Sequence, residues 1–184
     1  MSRQGIVYIG ERNTGKTTKL YHAYEEALMK KKRILIMDSA TDHVEKSIIR
    51  KIQQENQGIL IESCSESEVV FPNIKPYSYP YELVKDKDSN LFLCDASYFL
   101  EKGYDYPEGP LREEQRTLYK CFSMQVICVL MDRVDTILMD EIELLPEFRK
   151  IITMISQQNI QLVMTLHKTA GLAGMDDLIR IERV

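Results

Sequence analysis

The stretch YIGERNTGKTTKL, Tyr8 to Leu20, constrains the fold more than any other part of the chain. Two glycines five apart, Gly10 and Gly15, are followed by Lys16, Thr17 and Thr18. Glycine tolerates left-handed backbone, so the chain can turn tightly and point successive N–H groups inward. Ahead of the loop, GIVYIG (Gly5–Gly10) is a continuous apolar run ended by glycine, the pattern of a buried parallel strand. Behind it, from Lys16 to about Lys31, Leu20, Ala23, Tyr24, Ala27 and Leu28 recur at helical spacing. A strand that turns through glycines into a helix aims backbone N–H groups and the positive end of the helix dipole at one point, which suits an anion.

The remaining pattern extends this strand–loop–helix start. KKKR (Lys30–Arg33) falls where the first helix should end, and cations favour that end of the dipole. A nuclear-import or nucleic-acid reading of the same four residues is the weaker one. RILIMDSATD reads as a strand ending at Asp38. A helix with Val44, Ile48, Ile49 and Ile52 on one side runs up to Gly58, and GILIES reads as a further strand. The first third is therefore βαβαβ, which implies a parallel sheet with right-handed crossovers.

Ser65 to Pro110 differs in character. It holds five of the six prolines and the run PYSYPYE. NLFLCD (Asn90–Asp95) reads as a strand within it, and the rest as loops and turns. This elaboration can bind a ligand or partner, although packing and turns account for it more simply. A helix is expected from Leu111 to Met131, then a strand in VDTILMDE. Leu144, Leu145, Phe148, Ile151, Ile152 and Ile155 mark an amphipathic helix. IQLVMTLH is another strand, and DLIRIERV is expected at a sheet edge. Length fits one domain spanning 1–184, elaborated at about 65–110, since 184 residues suffice for one compact core.

Composition narrows the function classes. The apolar fraction of 44% and charged fraction of 28% are those of a soluble globular chain. A net charge of −4 offers no electrostatic footprint for nucleic acid, so direct nucleic-acid binding is not indicated. The N-terminus has no signal-peptide core, and no apolar run approaches the roughly 18 residues that span a bilayer. A cytoplasmic chain without a membrane span is expected. Cys64, Cys94, Cys121 and Cys128 are widely spaced and form no C-x-x-C pair, so buried reduced thiols are expected rather than zinc or disulfides.

Gly10-Glu11-Arg12-Asn13-Thr14-Gly15-Lys16-Thr17 fits G-x-x-x-x-G-K-[ST]. The cofactor this predicts is ATP, or another nucleoside triphosphate, with Mg²⁺. Backbone from Gly10 through Arg12, Asn13, Thr14 and Gly15 to Thr18 would wrap the phosphates, and Lys16 can reach the β and γ phosphates. The Thr17 hydroxyl can ligate Mg²⁺. In TILMDE an apolar strand ends in Asp140, placed to hold Mg²⁺ through a water. Glu141 can orient or deprotonate an attacking water or hydroxyl. The bland alternative for these two carboxylates is a solvated acidic pair at a strand end. His167, with Thr165, ends the next strand, where a polar side chain can sense the γ phosphate, although a lone histidine is as readily incidental. Asp38 lies on the same sheet edge, farther out, and could touch a substrate. Arg12, Arg112, Arg116 and Arg133 are candidates for stabilising transition-state charge, in cis or from a second copy.

These motifs resemble the P-loop NTPases of the additional-strand catalytic-glutamate, or RecA-like, division. Walker A is Gly10–Thr17, Walker B is Thr136–Asp140, and Glu141 and the strand to His167 complete the set. The resemblance implies a three-layer α/β fold with a mostly parallel sheet, in which another strand separates the Walker B strand from the P-loop strand. Two narrower likenesses exist. GERNTGKTTKLYHAYEEALMKKKRILIMDSATD and MDEIELLPEFRKIITMISQQNIQLVMT are similar to zinc-containing thymidine kinases, which would make Glu141 a catalytic base. GPLREEQRTLYKCFSMQVICVLMDRVDTILMDE and TLHKTAGLAGMDDLIRIERV resemble ABC- and SMC-type ATPases, with His167 at the switch-histidine position. The favoured expectation is Mg²⁺-dependent hydrolysis of the triphosphate. The alternatives are a nucleoside-like kinase, with its acceptor near Tyr77, Tyr79 and Tyr81, and a nucleotide-gated module serving a protein partner or a second copy in DNA transactions or transport.

Overall fold

A computed structural model describes residues 5–38, 48–55, 58–62, 74–77, 88–95, 107–141, 148–168 and 171–184. The chain forms two compact units: one of Met1–Leu35 with Arg133–Val184, the other of Ile36–Asp132.

The first unit contains β1 (Gly5–Ile9) and α1 (Lys16–Met29). β2 (Ile34–Asp38) begins in this unit and ends in the other. In the second unit follow α2 (Ile48–Glu55), β3 (Gly58–Glu62), β4 (Ile74–Tyr77), β5 (Leu91–Asp95) and α3 (Pro110–Leu130). The chain returns to the first unit with β6 (Thr136–Asp140), α4 (Phe148–Ser156), β7 (Gln161–Leu166) and β8 (Ile179–Arg183). This is an α/β fold built on parallel strands. Val44 and the pair Leu144 and Leu145 lie outside the described residues.

In the first unit β1 pairs in parallel with β7 on one side and β8 on the other, and β7 pairs in parallel with β6. β7 therefore stands between β6 and β1. The registers Ile9↔Leu166 and Met139↔Met164 bring the C-terminal ends of β1, β6 and β7 to one edge. These strands are mostly apolar, as strands of a covered parallel sheet are, and β6 is buried at every position. α1 packs on β6 and β7 through Leu20, Tyr24 and Ala27. Burying three such side chains contributes several kcal/mol, at roughly 1.5–3 kcal/mol for each large one. The expected stripe on α1 is narrower than its spacing suggested: Leu28, in the last turn of α1, is 42% exposed. α4 packs on β7 and buries Ile151, Ile152 and Ile155, spaced i, i+1 and i+4.

In the second unit β3 pairs in parallel with β4 and β5. β4 corrects the expectation that 65–110 holds no strand besides that at 90–95. IKPY pairs with β3 in the register Leu60↔Pro76, and proline is tolerated because among the described strands β4 pairs only with β3, so its missing N–H is not needed by a further one. The other residues of PYSYPYE fall outside the described residues. α3 begins with Pro110 in its first turn and buries Phe122, Val126, Ile127 and Leu130. The expectation of buried thiols holds for Cys94 but fails for Cys121 and Cys128, which are exposed. They lie seven apart on α3 and so share its outer face. Cys64 is outside the described residues. Among the described residues no helix is long and apolar enough to cross a membrane.

Candidate functional site

The site forms where β1, β6 and β7 end, in the first unit. β1 stops at Ile9, and the glycine loop turns through left-handed Asn13 (φ 63°) and Gly15 (φ 95°) into α1. Gly10 is required by space. A Cβ there would lie 2.5 Å from both Thr14 Oγ1 and the Val184 carbonyl oxygen. Val184, the residue after β8, thus flanks the loop, held there because its N–H donates to the Ile9 carbonyl at 2.9 Å. Thr14 Oγ1 in turn donates to the Glu11 carbonyl at 3.0 Å, which braces the turn.

Lys16 opens α1 and is buried, with only 6% of its surface exposed. Its ammonium donates to the carbonyls of Gly10 at 2.8 Å and Glu11 at 2.7 Å, and lies 3.3 Å from His167 Nδ1. Thr17 Oγ1 donates to Asp140 Oδ2 at 3.0 Å. The other oxygen of Asp140 accepts a short hydrogen bond from Thr165 Oγ1. Thr165 Oγ1 itself accepts the backbone N–H of Glu141 at 2.8 Å. Glu141 is left-handed (φ 53°), a conformation that costs a non-glycine residue roughly 1–2 kcal/mol and that clusters at functional sites. Its Oε1 accepts from His167 Nε2 at 3.1 Å.

The electrostatics follow from burial. Asp140 is 5% exposed, and loss of solvent pushes its pKa above the usual carboxylate value; bonds from Thr165 and Thr17 oppose that shift, Glu141 adds to it, and Lys16 lowers it. A buried carboxylate held by hydroxyls, with an ammonium nearby, is an anion that gains from a cation. The donors fit Mg²⁺. It demands oxygen ligands at about 2.0–2.1 Å in octahedral geometry, which places adjacent ligands about 3 Å apart. Thr17 Oγ1 and Asp140 Oδ2 have that separation. Among the described residues no three His, Cys, Asp or Glu side chains converge as a cage. Mg²⁺ typically needs no such cage, because waters and substrate phosphates complete its shell.

The expected site residues fall into three groups. Lys16, Thr17, Asp140, Glu141, Thr165 and His167 converge, with Gly10 and Gly15 shaping the loop beside them. Arg12, Asn13, Thr14 and Thr18 lie on the loop and first helical turn with exposed side chains, so any role in phosphate contact falls to their backbone or to Arg12's guanidinium. The remaining candidates belong to other elements. Arg112 pairs with Glu108 at 2.6 Å, Arg133 follows α3, Asp38 ends β2 and is buried, and the side chain of Arg116 is outside the described residues. Sequence reasoning missed the carbonyls of Gly10 and Glu11 as lysine acceptors and Val184 as a flank of the loop. The first is backbone geometry, and the second depends on strand order. It also missed the turn at Glu141, for which no glycine or asparagine gave a signal.

No protein-family model matches the chain, and no curated protein does. Among solved structures, the genome packaging NTPase B204 from Sulfolobus turreted icosahedral virus 2, in complex with ATP-gammaS, is similar at a TM-score of 0.44 and 10% identity. The likeness covers 91% of this chain and 66% of that one.

Proposed function

We propose that the chain binds a nucleoside triphosphate with Mg²⁺ and hydrolyses it. One observation carries the reading: Lys16, Thr17, Asp140 and Glu141, from the helix start and the end of β6, meet at one sheet edge beside a glycine loop that a Cβ would close. The loop N–H groups and the α1 N-terminus receive the phosphate oxygens. Lys16 neutralises charge that develops on the transferred group. Thr17 and Asp140 would hold the cation, which would supply charge neutralisation at the phosphates. Glu141 accepts a proton from an attacking water and orients it for in-line displacement. β7 between β6 and β1 supports the additional-strand order that the motifs suggest.

The test uses γ-labelled ATP with Mg²⁺, alone and with a nucleoside panel. Release of inorganic phosphate by the wild type, lost in Glu141→Gln, is the expected result. Label on a nucleoside would mark a kinase. Binding without turnover in either arm would mark a nucleotide-gated module.

A further inference from the structure

Among the described strands β8 pairs only with β1, so its other side is open. Two bonds fix which way its backbone points. The Leu178 carbonyl accepts from the Gly5 N–H, and the Val184 N–H donates to the Ile9 carbonyl. In a strand the N–H and C=O of one residue point to the same side, and those of the next residue to the other. Leu178, Arg180, Glu182 and Val184 therefore turn their backbone toward β1, while Ile179, Ile181 and Arg183 turn theirs away. The Ile179 N–H is taken by the Met175 carbonyl at 3.0 Å. The row left for a further strand is the Ile179 carbonyl and both backbone groups of Ile181 and Arg183.

An open edge is a template for another strand, and proteins commonly blunt it with proline or with charges that repel a neighbour. β8 holds no proline, and its charges repel only in the wrong register. It reads Arg180-Ile181-Glu182, opposite charges on either side of an isoleucine that is 39% exposed. Arg180 and Glu182 share a face and lie 2.6 Å apart, and both reach solvent. Consider an antiparallel pairing with β8 of a second copy. Centred on Arg180 it sets arginine against arginine, and centred on Glu182 it sets glutamate against glutamate. Centred on Ile181 it sets each Arg180 opposite Glu182 of the other copy. Opposite charges directly across a pair of strands stabilise it, and like charges destabilise it.

The same register satisfies the backbone. The two Ile181 residues exchange both N–H···O=C bonds, and the Arg183 N–H of each copy donates to the Ile179 carbonyl of the other. Arg180 and Glu182 then form the non-hydrogen-bonded pairs, in which side chains approach most closely. We propose that this edge is a two-fold docking surface for a second copy of the chain, the two β8 strands running antiparallel about Ile181. The joint is isologous, each copy offering the same patch. Because the strands of the two copies run in opposite directions, the glycine loops lie at opposite edges of the joined sheet. Neither copy delivers an arginine to the other's phosphate site across this joint. The pairing itself stands apart from the nucleotide reading.

Sedimentation of the full chain tests it. With concentration rising to about 1 mM, the range of weak association, the wild type should pass from monomer to dimer. Arg180→Glu and Glu182→Arg each set like charges opposite one another at both pairs, and each should raise the dimer Kd about tenfold or more. Mixed in equal amounts, the two variants should form a heterodimer, because every pair across the joint is then of opposite sign. Both variants have lost the internal Arg180–Glu182 contact, so that contact cannot produce the rescue. Hydrogen exchange of the wild type reads the joint without any substitution: the Ile181 and Arg183 amides should slow as concentration rises, and the Glu182 amide, which faces β1, should not. A wild type that stays monomeric overturns the proposal, as an edge kept for a different protein's strand would give. A dimer indifferent to both single variants, a mixture as monomeric as its components, or Ile181 exchange independent of concentration overturns it as well.

Discussion

The two ends of β6 each carry an aspartate, and the molecule treats them in opposite ways. At the entry of the strand, Asp135 is met by Arg33: Nε donates to Oδ2 at 3.2 Å, a terminal nitrogen donates to Oδ1 at 3.1 Å, and the Arg33 backbone N–H donates to Oδ2 at 3.0 Å. The Arg33 carbonyl accepts from the N–H groups of Asp135 and Thr136 in return. These bonds hold the Asp135 pKa below the ordinary carboxylate value, with the guanidinium as the largest cause. At the exit, Asp140 accepts from the hydroxyls of Thr17 and Thr165, and burial raises its pKa. One end is a satisfied clamp. The other holds a buried carboxylate whose desolvation costs stability, a cost that a bound cation would offset.

The contrast can be broken most forcefully at the exit end. Glu141→Gln should cut hydrolysis by roughly 10²–10⁴-fold, the range of general base catalysis, while leaving nucleotide binding intact. Phosphate-release kinetics beside a binding titration with a fluorescent ATP analogue check it. Gly10→Ala should lower stability by about 1–3 kcal/mol, because its Cβ would overlap Thr14 and the Val184 carbonyl, and should also weaken nucleotide binding. Chemical denaturation and the same titration read both effects.

A smaller effect sharpens the entry end. Arg33 and Asp135 are both more than a third exposed or nearly so, and solvent screens their pair. Asp135→Asn should therefore cost no more than about 1 kcal/mol, or about 2–4 °C in a chain of this size, with activity kept. Its pH dependence has a definite sign. A carboxylate with a lowered folded pKa contributes stability above its unfolded pKa and loses it as pH falls through the folded value. The difference in Tm between wild type and Asp135→Asn should hence shrink on acidification below the ordinary value of 3.8. Asp140 has the reverse sign: its ionisation removes stability as pH rises from that ordinary value toward the raised one.

Much of this was legible in the sequence, for local reasons. The glycine loop needs glycine where backbone must approach, and apolar strands covered on both faces read as continuous runs, so GIVYIG, RILIMD, NLFLCD, TILMDE and IQLVMTLH all coincide with strands. What escaped depends on chain-distant neighbours or on context. β4 was hidden because IKPY looks like a turn until a single-sided partner makes its proline harmless. Cys121 and Cys128 share a helix face, which their spacing of seven states, but residue type alone favoured burial. The approach of Val184 to Gly10 follows from β8 joining β1, and no local pattern encodes that pairing. Lys16 and His167 lie 151 residues apart in sequence, and only the pairing of β1 with β7 brings them together.

The central claim is that the charge at the exit of β6 is kept for a cation and a triphosphate. Thermal unfolding of wild type and Asp140→Asn, each with and without ATP and Mg²⁺, tests it directly. Without nucleotide the Asn variant should melt higher by about 2 °C or more, the shift that roughly 1 kcal/mol produces, because a buried charge is gone while both threonine hydroxyls keep a partner. ATP with Mg²⁺ should raise the wild-type Tm, by about 2.7 kcal/mol of added stability at a hundredfold excess over Kd, and should leave the variant almost unmoved. An Asn variant that melts lower than wild type, or that gains as much from the nucleotide, would contradict the account.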